Sequence, residues 1–240
     1  MVKYGNDFYK NNIGPSTSSA EEIVPEIIGI LNPSSVVDVG CGVGTWLKVF
    51  KKFKKEVFGI DFNVADKKLF LIKKTEFKKC DLRAPINLKK RFDLAISLEV
   101  AEHIDIKFAD TFLDSLTSLS DKIIFSAAIP FQGGYDHINE QWPDYWLKKF
   151  EKRGYVLVDC FRSKFWNNPR VDYYYSQNMF LYCKKEVLQK NKILQEFYKN
   201  TNRDLLKIVH PIGYVMKGKS LEKIKKYLPL KGLLRKIFIS

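Results

Sequence analysis

The chain has 240 residues, 45% of them hydrophobic and 14% aromatic, with a formal net charge of +14. That length supports one large domain with a buried core, and the aromatic content excludes a disordered chain. No stretch approaches the ~20 apolar residues of a membrane-spanning helix, and the polar start Met1–Asn12 lacks the apolar core of a signal peptide.

Ser18–Asn32 reads as a helix, with Ser18 or Ser19 set three residues before Glu21 or Glu22 in capping-box spacing. Pro25 lies deep for such a helix and predicts a late start or a bend, and Asn32-Pro33 ends it. Ser35–Gly40 is a β-branched run ending in glycine, a buried strand. Thr45–Phe53 carries a helical apolar face, and Glu56–Asp61 is the second strand. Glu76–Leu82, Phe92–Leu98 and Lys122–Ile129 follow as strands, with an amphipathic helix at Ala109–Leu119. Gln141–Arg153 is a helix stopped at Gly154. Tyr155–Phe161 and Met179–Lys184 are the last two strands. The polar, aromatic stretch Arg162–Gln177 between them predicts an antiparallel hairpin with a long ordered loop and no helix.

This alternation predicts an α/β fold: a Rossmann-like, seven-stranded, mostly parallel sheet with helices on both faces and an antiparallel last strand. The expected domain is 1–185, followed by a basic helical C-terminal extension over 186–240. From Arg203 to Ser240 ten Lys or Arg face two acids. That charge suits an anionic partner (a phosphorylated or nucleotide-linked substrate, RNA or a membrane surface) or a plainly solvated lysine-rich face. Leu221–Ile239 mixes Lys with apolar residues at helical spacing, the pattern of a peripheral membrane helix or of a helix packed on protein. Cys41, Cys80, Cys160 and Cys183 lie far apart without a CxxC pair and read as free thiols in a reducing compartment, so a cytoplasmic location is expected.

Asp38-Val-Gly-Cys-Gly-Val-Gly-Thr45 joins the first strand to the following helix. Gly40 and Gly42 let the backbone turn sharply and approach a ligand. Asp61 ends the second strand about twenty residues on, where an acid can accept from both ribose hydroxyls of an adenosine. Thr45 stands where a dinucleotide fingerprint needs its third glycine. Asp38 would repel a pyrophosphate but suits an ammonium.

The run DVGCGVGTW resembles motif I of class I S-adenosylmethionine-dependent methyltransferases. Gly59–Asp61 looks like motif II, Cys80–Leu82 like the acidic adenine motif, and Phe92–Ile104 like motif IV and its following helix. The resemblance implies that Asp38, Gly40 and Gly42 contact the methionine end of the cofactor and that Asp61 holds the ribose. It further implies that Asp81 accepts from the adenine amino group beside the Leu82 N–H, and that Ser97, Leu98 and Glu99 line the cofactor near the methyl group. Phe125–Trp146 resembles a narrower group of small bacterial methyltransferases tied to cell-surface glycans or secondary metabolites. Tyr4, Phe8 and Tyr9 are read as a lid.

For the acceptor side, His137 in the loop after the fifth strand is the candidate base, with Asp136 and Glu140 to orient it or to serve themselves. The other reading of His137 is a loop histidine that binds substrate or caps a helix. Glu99 and His103, four apart, fall on one helical face. With His137 and Asp136 they could hold a metal, but two ligands at helical spacing are slender ground and no metal is expected; the other reading is a structural hydrogen bond. His210, in the tail, reads as a turn residue. In Phe165–Tyr175 aromatic faces could stack on an acceptor and Arg170 could meet a phosphate, or the loop simply packs.

The expected activity is O-methylation of a small polar acceptor, such as a sugar or a nucleotide- or phosphate-linked glycan precursor. The alternatives are RNA or small-molecule N-methylation, or a cofactor-binding partner without catalysis. No separate RNA-binding module is visible, and Ser97-Leu-Glu99 stands where a target-base motif would, so nucleic acid is not the expected partner.

Overall fold

A computed structural model describes residues 5–62 and 66–227. Its frame follows from four short apolar runs, β1 (Ser35–Val39), β2 (Glu56–Asp61), β4 (Leu94–Leu98) and β5 (Lys122–Ser126). Every residue of β1 is buried, as expected for a parallel strand covered on both faces. With β3 (Phe77–Lys79), β6 (Tyr155–Val158) and β7 (Phe180–Lys184) they form one seven-stranded sheet among the described residues, ordered β3-β2-β1-β4-β5-β7-β6. Pairing is parallel from β3 to β5, and β7 runs antiparallel to both β5 and β6. Strand order reverses between β1 and β4, which opens a crevice past their carboxyl ends.

Side-chain alternation divides the core. Val36, Leu94 and Ile96 pack under α1 (Asn6–Leu31) and α2 (Thr45–Lys52). Val37, Ala95 and Ile123 face α3 (Ala109–Leu119) and α4 (Pro143–Glu151) on the other side.

Three expectations are corrected. First, α1 begins at Asn6 rather than Ser18 and runs through Pro15 and Pro25. Ser19 is no cap: its hydroxyl donates back to the Pro15 carbonyl at 3.1 Å. A proline in a helix interior costs ~3 kcal/mol. Complete burial of Ile23, Val24 and Ile27 on this helix offsets that, at ~1.5–3 kcal/mol per side chain. Second, the segment between β6 and β7 is not one loop but carries two short helices, α5 (Arg162–Phe165) and α6 (Tyr173–Asn178). Third, Glu99 and His103 do not share a helix. Glu99 sits at φ +54°, and a single 3₁₀ turn covers Ala101–His103.

The first compact unit extends to Ile208. The helices α7 (Lys185–Lys190) and α8 (Lys192–Lys199) belong with the sheet, and Leu194 of α8 is fully buried in its core. The second unit starts at Val209 and contains α9 (Pro211–Tyr227), on which Tyr214, Met216, Leu221 and Ile224 are exposed. The amphipathic pattern of Leu221–Ile239 extends beyond the described residues. Among the described residues no helix is long and apolar enough to cross a membrane.

Candidate active site

The turn after β1 is built by hydrogen bonds to its neighbour strand. The Gly40 and Cys41 N–H groups donate to the Ile60 carbonyl at 2.7 and 3.2 Å. Gly40 takes φ +91°, and a Cβ there would lie 2.3 Å from Cγ2 of Val100, so no side chain fits. The Gly42 N–H donates to Oδ2 of Asp61 at 2.7 Å. Thus the acid at the end of β2 is fastened to the glycine turn.

A hollow of about 130 Å³ opens over this turn, lined by Asp38, Gly40 and Gly42 below, Leu98 and Tyr175 at one side, and Tyr9, Asn12 and Ser16 of α1 above. The Tyr9 ring lies 3.4 Å from where a Cβ on Gly42 would stand. Of the three aromatics read as a lid, Tyr9 therefore covers the turn. Tyr4 lies outside the described residues, as does the Phe8 side chain. Asp38 is 4% exposed. Burial, and then the charge of Asp61, push its carboxyl well above the usual carboxylate range.

The other residues expected to meet a cofactor lie at the ends of the neighbouring strands β3 and β4. Asp81 follows β3, beside the end of β2, where the Cys80 N–H donates to the Asp61 carbonyl at 2.9 Å. Its carboxylate is clamped by Arg83 at 2.7 and 2.9 Å, which holds it below its ordinary range. Leu82 contributes a buried side chain to the core. The Ser97 hydroxyl, fully buried, donates to the Val39 carbonyl at 2.8 Å and ties β4 to β1 rather than facing the hollow. Leu98 does line it.

One residue beyond Leu98, the half-buried Glu99 is gripped by two amides. Gln132 Nε2 donates to it at 2.8 Å and Asn178 Nδ2 at 3.2 Å. Burial outweighs these bonds and pushes its carboxyl up to about 7. Next to it, Glu102 is fully buried, and neither carboxyl oxygen has a hydrogen-bond partner among the described residues. Its own N–H and that of Ala128 ease the burial electrostatically without bonding geometry. Desolvation, then the charge of Glu99, raises the Glu102 carboxyl well above its ordinary range.

The loop after β5 brings His137 to this carboxyl, Nε2 standing 4.0 Å from Glu102 Oε1. His137 Nδ1 is bonded to Glu140 Oε1 at 2.9 Å. Glu140 also accepts from the Phe131 and Gly133 N–H groups, so it staples the loop. Asp136, at φ +61°, offers its carbonyl to His103 Nδ1 at 3.1 Å. Burial lowers the His103 imidazole, which favours its neutral form. The structure thus gathers His137, Asp136, Glu140 and His103, but around Glu102 and not around Glu99.

Arg170 is engaged by Glu22 at 3.0 Å and Glu21 at 3.5 Å, and Phe165, Val171 and Tyr175 are buried, so this segment packs. Sequence reasoning missed Gln132, Asn178 and the role of Glu102. The signal for Glu102 was its place directly before His103; Gln132 and Asn178 are brought to Glu99 only by the fold.

A family model described as a methyltransferase domain matches residues 18–168. Among curated proteins no sequence matches this chain. Among solved structures, magnesium protoporphyrin IX methyltransferase from Synechocystis PCC 6803 with bound SAH is similar at 18% identity and TM-score 0.51, over 71% of this chain and 84% of that one. The same enzyme with bound SAM gives 20% identity and TM-score 0.51 over 71% and 80%. The methyltransferase domain of bacterial CtHen1 gives 17% identity and TM-score 0.49 over 70% and 98%. At such identities the likeness is one of fold.

Proposed function

The chain belongs to the methyltransferase-domain family, and on that premise we propose that this S-adenosylmethionine-dependent enzyme methylates a hydroxyl oxygen of a small polar acceptor, such as a sugar or a phosphate-linked glycan precursor. The residues of the turn fit the cofactor. Asp38 is a buried carboxyl whose raised protonation an ammonium would reverse. Asp61, oriented by the Gly42 N–H, suits a ribose diol. Asp81 serves the adenine amino group after sharing or leaving Arg83, and the Leu82 N–H lies beside it.

The cofactor supplies a methyl group on a sulfonium, open to in-line displacement. The protein's share is alignment, which can supply roughly 7–11 kcal/mol. Tyr9 and α1 line the hollow over the turn, where they would shield a bound cofactor from water.

The observation that carries the oxygen acceptor is Glu99, a half-buried carboxyl held by Gln132 and Asn178 one residue past the hollow-lining Leu98. An amine needs only to be unprotonated, whereas a hydroxyl gains ~10²–10⁴-fold from a positioned base. Glu99 takes that proton. Glu140 and the Asp136 carbonyl hold the two imidazoles behind it. The exposed Phe131 and Tyr135 on the same loop offer ring faces to a sugar.

The test is calorimetric titration with S-adenosylmethionine, followed by an acceptor panel of sugars, nucleotide sugars, amines and short RNA, read by S-adenosylhomocysteine release. Methylation of a sugar hydroxyl supports the proposal. Absence of micromolar cofactor binding, or preferred methylation of RNA or an amine, overturns it.

A further inference from the structure

We propose that Glu102, His103 and His137 bind one divalent transition-metal ion beside the methyl-transfer site. One ligand atom from each of these side chains lies within 4.8 Å of the others. Metal bonds of ~2.0–2.2 Å hold ligand atoms at most ~4.4 Å apart, so closing on an ion requires shifts of a few tenths of an ångström. The two imidazoles stand edge to face, ring centres 4.9 Å apart.

Glu102 is the second, independent observation. Its side chain is wholly buried, both oxygens lack hydrogen-bond partners among the described residues, and Oε1 lies 4.0 Å from His137 Nε2, too far for a hydrogen bond. A buried, unpaired carboxyl ionises only at a large cost unless a counter-charge is present. A bound cation is that counter-charge.

The outer groups are arranged as they are around metal sites. His137 Nδ1 is bonded by the Glu140 carboxylate, and His103 Nδ1 by the Asp136 carbonyl. Such bonds fix the tautomer and the ring orientation of a histidine ligand. Gly134 leaves the approach clear, because a Cβ there would lie 2.2 Å from His137 Nε2. The backbone is fastened as well: the Ile138 and Asn139 N–H groups donate to the Glu102 carbonyl at 2.9 and 3.0 Å. His103 and His137 are partly open to solvent, which leaves a route for an ion and for a further ligand.

Two imidazoles and one carboxylate suit Mn²⁺, Fe²⁺, Co²⁺ or Zn²⁺ better than Mg²⁺, which prefers oxygen donors. The role of the ion rests on the reading of an oxygen acceptor. The acceptor hydroxyl would bind the ion through oxygen, its proton would pass to Glu99, and the oxygen would take the methyl group. Metal binding itself does not depend on that reading.

The experiment uses the full chain after chelator treatment and dialysis. Calorimetric titration with Co²⁺, Zn²⁺ and Mg²⁺ should show one Co²⁺ or Zn²⁺ per chain and weaker Mg²⁺. Glu102→Gln or His137→Gln should weaken Co²⁺ binding about 100-fold or more, and Glu140→Gln, one layer out, about 10–100-fold. Pulsed EPR of Mn²⁺ on the unaltered chain should show imidazole nitrogen coupling, a readout that stands even if a variant fails to fold. No saturable binding, nitrogen-free Mn²⁺, or equal affinity in folded Glu102→Gln overturns the proposal. Cofactor titration of the same samples separates the two readings: cofactor binding without metal binding sinks this inference alone.

Discussion

Gly40 stands so close to Val100 that a Cβ on Gly40 would fall 2.3 Å from Cγ2 of Val100. Gly40→Ala therefore meets two penalties: a left-handed φ of +91°, about 1–2 kcal/mol, and overpacking, about 1–3 kcal/mol. The thermal midpoint should fall by roughly 2–4 °C per kcal/mol in a domain of this size. Adding Val100→Ala should return the packing share but not the backbone share. If the double variant melts no higher than Gly40→Ala, contact with Val100 is not what excludes the side chain.

Asp38 ties cofactor binding to protons. Its carboxyl is raised by burial and by Asp61, so part of the free protein carries a proton there. A cationic ammonium stabilises the ionised form, so binding releases that proton. Cofactor affinity should rise with pH from near the ordinary carboxylate range and level off above the raised value. Calorimetry in buffers of different ionisation enthalpy should count the proton released. Asp38→Asn should abolish the release and weaken binding about 10–100-fold, the worth of a hydrogen bond to a charged group. A pH-independent affinity from pH 4 to 8 would contradict the assignment.

Glu99→Gln should lower kcat by ~10²–10⁴-fold with the cofactor dissociation constant unchanged. The glutamine keeps the shape and one oxygen for the Gln132 and Asn178 amides but cannot take a proton. A matching loss of cofactor affinity would make Glu99 a cofactor contact instead.

Local chemistry made the turn legible in the sequence, and tertiary contacts hid the rest. Gly40 and Asp61 were readable because a β-branched run, a glycine bend and a later acid impose their geometry within neighbouring segments. Of the proposed metal ligands His103 and His137 were readable, but helical spacing paired them with Glu99 and left Glu102 out. In the fold Glu99 is left-handed, Glu102 is buried, and the loop carrying His137 bonds to the Glu102 carbonyl through the Ile138 and Asn139 N–H groups. The early start of α1 was hidden for a related reason. Pro15 and Pro25 break its local pattern, and the burial that overrides them depends on α2 and the sheet.

That early start has a functional consequence at Tyr9. The ring is 6% exposed and rests on the Gly42 backbone, on the hollow side of the turn. A cofactor seated there would lie beneath it. Tyr9→Ala removes an aromatic cover worth about 1.5–3 kcal/mol of apolar burial, so cofactor affinity should fall about 10–100-fold. A ring that closed over the cofactor after entry would slow release more than entry, so the loss should come from faster dissociation, with the association rate nearly unchanged. Stopped-flow displacement measures both rates. A merely structural Tyr9 would lower the melting temperature and leave the dissociation rate of the folded fraction where it was, and that result would remove α1 from the binding site.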